Sequence, residues 1–372
     1  MPIGPASPRS PRGLTHYDHF LALCFGQLTY RESLRDIVSC LRAKRTCLYH
    51  LGFRGEISRT NLAYANHHRD WRVFEAIAQV LIRRATRLYR SQEEDPDLPQ
   101  IAFALDSSII SLSLKLFPWG YYSRSKQAAV KLHLMLALQG NLPTWAAITE
   151  PHFQDMRILD RVPALAGAYY VMDRGYVDFF RLRRLHQAGG FFVVRSKHHV
   201  RFRVLSSGGV DHNRSLRCDQ TVRLRTRWSS RLYPEPLRRI RLYDTENQIH
   251  LVLLTNQFDL PAEVIAELYR KRWQVELFFK WMKQHLRLRA FYGRSQNAVR
   301  VQIWSAICAY LMVAIVRKIL NCRKSLNEIL QIVSVSIFEQ VPLAELLATQ
   351  DQKARSETRT TEPQKLLSLG DL

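Results

Sequence analysis

Cysteine is scarce in this 372-residue chain, with six in all (Cys24, Cys40, Cys47, Cys218, Cys308 and Cys322). None forms a CxxC pair, and the histidines are scattered without metal-ligand spacing. That argues against a disulfide framework, makes a zinc enzyme the least attractive reading, and fits a reducing compartment with buried thiols. Long apolar runs are also rare. Only Val301–Leu320 approaches the length of a membrane span, and Gln302 and Arg317 interrupt it, so it reads as a buried core helix. Met1–Arg12 is rich in Pro and Ser and has no apolar h-region, which excludes a secretory leader there. Acidic residues are the other shortage: 32 Asp and Glu face 55 Lys and Arg, a net charge of +23. With 47% hydrophobic residues the chain can bury a sizeable core. A folded chain this basic calls for a polyanion, with nucleic acid favoured over a membrane surface. The expectation is a cytoplasmic protein with no membrane partner.

The texture changes along the chain. Residues 1–13 read as a flexible basic tail and 14–92 as a helical N-terminal domain that binds DNA or caps the core. Helical blocks fall at His16–Gln27, Arg31–Leu51 and Asn61–Tyr89. Residues 93–99, inside the acidic SQEEDPDLP run, read as a linker. From 100 to 194 short apolar strands alternate with helical stretches, including a hairpin turning at Gln139-Gly140-Asn141 and a helix over His152–Leu165. Residues 195–249 form a basic, β-rich insertion. Within it Arg195–Arg241 holds thirteen Lys and Arg against three acids, alternating with apolar residues, so one basic face is expected. The core resumes over 250–338 with helices at Pro261–Leu286 and Asn297–Leu320, and 339–372 reads as a disordered tail. The fold class is α/β, a mixed sheet with flanking helices.

Against this basic background a few acids stand out. Asp106 and Asp173 each follow an apolar strand, IAFAL-D and YYVM-D. If the two strands are neighbours, their carboxylates converge at the sheet edge. Converging carboxylates suit hard divalent cations, and two such ions can activate water and stabilise a leaving phosphodiester oxygen. Taken alone, either aspartate is better read as capping a turn or the next helix. More specific is Tyr269-x2-Arg272-x3-Glu276-x6-Lys283. On one continuous helix these four residues make a stripe about 60° wide, a phenol, guanidinium, carboxylate and ammonium in a row. Such a row suits a metal ion at Glu276 and phosphate oxygens at the other three. The bland alternative is an Arg272–Glu276 ion pair on a solvated face, which the apolar flanks Trp273, Leu277, Phe278, Phe279 and Trp281 argue against.

That spacing resembles the Tyr-Arg-Glu-Lys signature of the fourth insertion-sequence family of bacterial DDE transposases. ALDSSIISL (104–112), VMDRGYVDFF (171–180), LVLLTN (251–256) and LYRKRWQVELFFKWMKQHL (268–286) also resemble that family. The resemblance implies an RNase H-like core, interrupted by the β-rich insertion, in which Asp106, Asp173 and Glu276 are catalytic and bind two Mg²⁺ ions, replaceable by Mn²⁺. It implies DNA contacts at Tyr269, Arg272, Trp273, Lys283 and Arg174. The implied activity is cleavage at insertion-sequence ends and strand transfer into target DNA, by a homodimer in a synaptic complex associated with the nucleoid. One departure is the MPIGPASPRSPRG segment, which replaces the longer N-terminal region usual in relatives. It keeps open an inactive or truncated transposase-derived DNA-binding protein; the other alternative is a structure-selective nuclease of the same fold, with the same triad but no strand transfer.

Overall fold

The computed structural model describes residues 13–54, 57–89, 99, 101–124, 126–209, 216–244, 248–286 and 290–347. All but Pro99 of the expected linker, all but Gly13 of the basic tail, and residues 348–372 therefore lie outside the described residues.

Four helices come first: α1 (His16–Leu28), α2 (Leu34–Ala43), α3 (Arg59–His68) and α4 (Arg72–Tyr89). Polar caps start the first three: the side chains of Thr15, Ser33 and Ser58 each accept a backbone N–H three residues on. The expected helix over Asn61–Tyr89 is in fact two. Arg69 leaves the helical region at φ −77°, ψ 131°, and Asp70 binds the Arg72 N–H to restart it. The Arg31–Leu51 helix is likewise shorter than expected, ending at Ala43.

The strands are β1 (Ala102–Leu112), β2 (Tyr121–Tyr122), β3 (Gln127–Ala137), β4 (Leu142–Thr149), β5 (Tyr169–Met172) and β6 (Phe191–Arg195). The helix α5 (Phe179–Gln187) crosses between the last two. The β3–β4 hairpin turns where the sequence placed it, with Gly140 at φ +77° and Asn141 at φ +51°. The sheet continues through β7 (Phe202–Ser207), β8 (Leu216–Leu224), β9 (Leu237–Asp244) and β10 (Ile249–Thr255), with a short α6 (Arg227–Leu232) between β8 and β9. Order across the sheet is β2-β3-β1-β5-β6-β10-β9-β8-β7, with β4 also on β3. Strands β4, β3 and β1 form an antiparallel meander, and β5 and β6 lie parallel to β1. This three-two arrangement is the RNase H-like topology. The basic insertion extends the same sheet, because β9 pairs with β10.

Two expectations fail on the way. No α-helix forms over His152–Leu165, only a 3-10 stretch at Asp155–Asp160, since Pro151 and Pro163 bracket the segment. The insertion's cations do not all face outward either. Arg238 is 8% exposed, and its guanidinium is paired to Asp219 and donates to the Leu260 carbonyl.

The helices α7 (Ala262–Lys271), α8 (Trp273–His285), α9 (Gln296–Ile319) and α10 (Leu326–Ser336) follow. Alternate strand residues feed two cores. Ala102, Ala104 and Val171 face a core shared by α1–α4, α8 and α9, while Phe103, Leu105, Tyr170 and Met172 face α5. The N-terminal helices thus share a core with α9, an arrangement secured by Tyr89 Oη donating to Ala314 O and Asn297 Nδ2 donating to Asn66 O and Arg69 O. α9 is long and apolar enough to cross a membrane, yet 83% of its most apolar stretch is buried inside the fold. Residues 339–347, expected in a disordered tail, pack through buried Leu347 against Ile329 and Leu330.

The junction of β6 and β10 depends on one buried amide. Asn256 accepts the Phe192 N–H at 2.8 Å and donates to Gly190 O at 3.0 Å. Asn256→Ala leaves both backbone groups buried without that partner, and urea unfolding is expected to show a loss of about 1–3 kcal/mol.

Candidate active site

Sheet register brings the two aspartates together. Ala104 pairs with Val171 and Leu105 with Met172, the last pair before β5 ends. Asp106 and Asp173 are the next residues on the two parallel strands, on the same face as Ala104 and Val171. Asp106 is not at a strand end as expected, because β1 runs on to Leu112 through its antiparallel pairing with β3. The convergence survives because β5, not β1, stops there. Asp173 opens a 3-10 turn, Arg174–Tyr176, with Arg174 exposed.

Glu276 arrives from α8, which packs against β1. The expected single helix is broken in two at Arg272, where 3-10 hydrogen bonds (Arg272 N to Tyr269 O, Val275 N to Arg272 O) join α7 to α8. Arg272 keeps helical dihedrals (φ −51°, ψ −32°), so the stripe is bent rather than lost. Its guanidinium lies 2.7 Å from Glu276 Oε1 and 3.6 Å from Asp106 Oδ2, and only 13% of its side chain is exposed. The same group stacks on the Tyr269 ring at 5.6 Å. The Arg272–Glu276 pair of the bland alternative therefore does not sit on a solvated face. The pair exists, but it is a buried bridge between two carboxylates from different elements.

Asp106, Ser107, Ser108, Glu276, Lys280 and Lys283 line an open cleft of about 470 Å³. Burial pushes the Asp106 carboxyl up to about 6, partly opposed by the Ser107 N–H and Arg272, with Glu276 and Asp173 adding to the rise. Desolvation is thus the larger cause of the rise, and repulsion among the acids the smaller. Burial also lowers the Lys283 ammonium and raises the Tyr269 phenol, which Asp173 raises further. Tyr269 is only 7% exposed, whereas Trp273 is 56% exposed at the start of α8. Among the described residues no three acid, imidazole or thiol side chains are gathered closely enough to hold an ion as they stand. The space between Asp106 and Glu276 is filled by Arg272, a cation standing between hard oxygen donors. That donor set suits a divalent metal.

Sequence reading missed a second layer under this face. Asp155 accepts the Ser107 hydroxyl at 2.6 Å and the Lys131 ammonium at 3.3 Å. His133, fully buried, has Nδ1 3.8 Å from the same carboxylate oxygen, and burial lowers its imidazole to about 4. The one available signal was the polar pair Lys131 and His133 inside the otherwise apolar strand β3.

Residues 97–312 match the family model of the transposase DDE domain. The chain belongs to the DDE transposases. They are DNA-cleaving and strand-transferring enzymes that use divalent metal. Residues 6–54 match a second model, described as a domain of unknown function. A transposase-named protein of Sinorhizobium fredii is 32% identical over 244 residues, covering 64% of this chain and 67% of that protein. The transposase named for insertion sequence element IS5377 of Geobacillus stearothermophilus is 26% identical over 241 residues, 64% of this chain and 63% of its own length. One from Synechocystis, named for element IS4SA, is 26% identical over 275 residues, 72% and 75%. The chain thus spans about two thirds of the length of these relatives. Among solved structures, the piggyBac transposase synaptic complex with hairpin DNA aligns at TM-score 0.39 and 8% identity, over 73% of this chain and 60% of that one.

Proposed function

We propose that this DDE transposase belongs to the Tyr-Arg-Glu-Lys branch of the fourth insertion-sequence family, cuts DNA at the element's ends and joins the freed 3′-hydroxyl to target DNA. The observation that carries this reading is the meeting of Asp106 and Glu276 at one cleft, with Asp173 on the neighbouring strand. The carboxylates of Asp106, Asp173 and Glu276 would hold divalent ions, two Mg²⁺ with Mn²⁺ able to substitute, which supply Lewis-acid activation of the attacking oxygen and neutralise charge on the phosphate. Arg272 holds Asp106 and Glu276 in place and offers its guanidinium to a phosphate that enters between them. Lys280 and Lys283, four and seven residues after Glu276, lie on the same side of α8 and bind the strand next to the scissile phosphate. Tyr269 supports Arg272 from beneath. Exposed Trp273 and Arg174 flank the site and contact the strand end and the adjoining backbone. The N-terminal domain, residues 14–92, binds the inverted repeats, and the insertion, 195–249, acts as a separate functional unit on the shared sheet. The acting form is a homodimer, cytoplasmic and nucleoid-associated.

The test is incubation of purified protein with labelled element ends and a plasmid target. Cut ends carrying 3′-hydroxyls, and joined products, are expected only with Mg²⁺ or Mn²⁺ present. Lys283→Ala removes one charge-assisted phosphate contact, so cleavage is expected to fall about tenfold or more. Cutting without joining would mean a nuclease, and DNA binding without cutting a transposase-derived binding protein.

A further inference from the structure

A second cleft, of about 550 Å³, opens on the opposite face of the sheet from the acid pair. Its cations are Arg124, Lys131 and Lys197, and Gly175 of the turn after Asp173 forms part of its wall. The two clefts are neighbours. Beyond Leu105 the pairing of β1 with β5 has ended, and the chain after β5 enters the 173–176 turn, which carries Gly175 of the second cleft. Ser107 lines the first cleft and donates to Asp155, which lines the second.

The cations differ in freedom. Lys131 is committed to Phe153 O at 2.8 Å and Asp155 at 3.3 Å, so it neutralises the one acid in the wall. Lys197 gives one of its three protons to Val177 O at 3.0 Å and keeps two to donate. Arg124 is exposed at the rim. The remaining wall is semi-polar, with the Tyr122 and His152 rings meeting edge to face at 5.1 Å. A cleft with surplus positive charge and a ring wall, placed just past a phosphodiester-cutting centre, has the chemistry of a DNA backbone site.

We infer that this cleft binds the DNA backbone on the far side of the scissile phosphate from Lys280 and Lys283, so that a single strand crosses the lip at Ser107 and Gly175. The inference rests on the proposed function, which places the scissile phosphate at Asp106 and Glu276. Two DNA sources share this chemistry, the flanking donor strand before cleavage and the target strand after it.

Site-directed cross-linking reads occupancy without catalysis. Gln154→Cys puts a thiol on the exposed wall of the cleft. It is mixed with DNA bearing a thiol-tethered phosphate, either in the flank of an uncut end or in target DNA offered to a pre-cut end. A disulfide adduct well above that of wild type and of Val335→Cys, on the exposed outer side of α10, is expected with at least one DNA. The reactive DNA names the strand. No adduct above the two controls with either DNA overturns the inference, even if cleavage is normal. Conversely, a cleavage-dead protein that still forms the adduct refutes the proposed function alone. As a second readout, Arg124→Ala removes one phosphate contact, so the slope of log K against log salt should become shallower by about 0.7–0.9, and Arg124→Ala with Lys197→Ala by about twice that. Slopes equal to wild type in both variants, with unchanged melting, would also overturn it.

Discussion

Asp106→Asn is expected to abolish end cleavage and, in the same preparation, to make the metal-free protein more stable. The loss of activity follows from removing one carboxylate of the proposed ion-binding set. Lewis-acid stabilisation of a phosphoryl transition state is worth several kcal/mol, so the rate should drop by ~10³-fold or more. The gain in stability has a different origin. The Asp106 carboxyl is raised from its ordinary 3.8 to about 6 in the folded state, chiefly by burial. Between those values the folded chain binds the proton more tightly than the unfolded chain. This group's contribution is therefore fully present below pH 3.8 and is lost as pH rises through 6. At pH 7.5 the ionised carboxylate costs on the order of 3 kcal/mol. Asparagine avoids that cost while Arg272 keeps Glu276 as a partner at 2.7 Å. Thermal melts in chelator should show the variant above wild type at pH 7.5 and level with it at pH 4. Added Mg²⁺ should raise the wild-type melt more than the variant's. A variant less stable than wild type at pH 7.5, with no response to divalent ion in either protein, would break the link between this burial and a metal site.

Arg238→Ala carries the largest expected loss of stability. The guanidinium makes a two-pronged pair with Asp219, at 2.8 and 2.6 Å, and its other arm reaches the carbonyls after β10. It therefore ties β9 and β8 of the insertion to the loop that leads into α7 and, beyond it, Arg272. Side-chain exposure is 10% for Arg238 and 22% for Asp219. Removing the cation leaves the largely buried Asp219 carboxylate without this partner, which costs about 3–5 kcal/mol where a buried pair is broken. Denaturant titration should show that loss, and Asp219→Asn with Arg238→Met should recover part of it, since both charges then go. A surface-like effect below about 1 kcal/mol would mean the pair is solvated in solution.

Much of the site was readable before any fold was known, and for physical reasons. Strands buried on both faces must read as apolar runs, so YYVM ending on Asp173 and LVLLT could be seen as core strands, and a carboxylate at the end of such a run is conspicuous. The hairpin at Gln139-Gly140-Asn141 was legible because positive φ restricts residue choice locally. The net charge of +23 was enough to point to nucleic acid.

Other features depend on contacts between distant segments, and no local pattern carries those. That β1 continues past Asp106 reflects its pairing with β3, and that Asp106 and Asp173 are the next residues after the last β1–β5 pair reflects parallel register. The break at Arg272 lies within a sequence that is helical by periodicity on both sides. The burial of Arg238 inside a run of alternating cations required Asp219 from another strand. Asp155 sits in a segment that looked helical and became a binding partner for Ser107 and Lys131 only because β1, β3 and that loop pack together. Composition and short-range pattern were enough to mark the buried strands, the residues able to carry charge chemistry and the kind of polymer the surface attracts, because those are local properties of the chain. Tertiary structure alone decided which acids share a cleft, which cation bridges them and which face holds the second basic cleft, because pairing register and desolvation exist only once the chain has closed on itself.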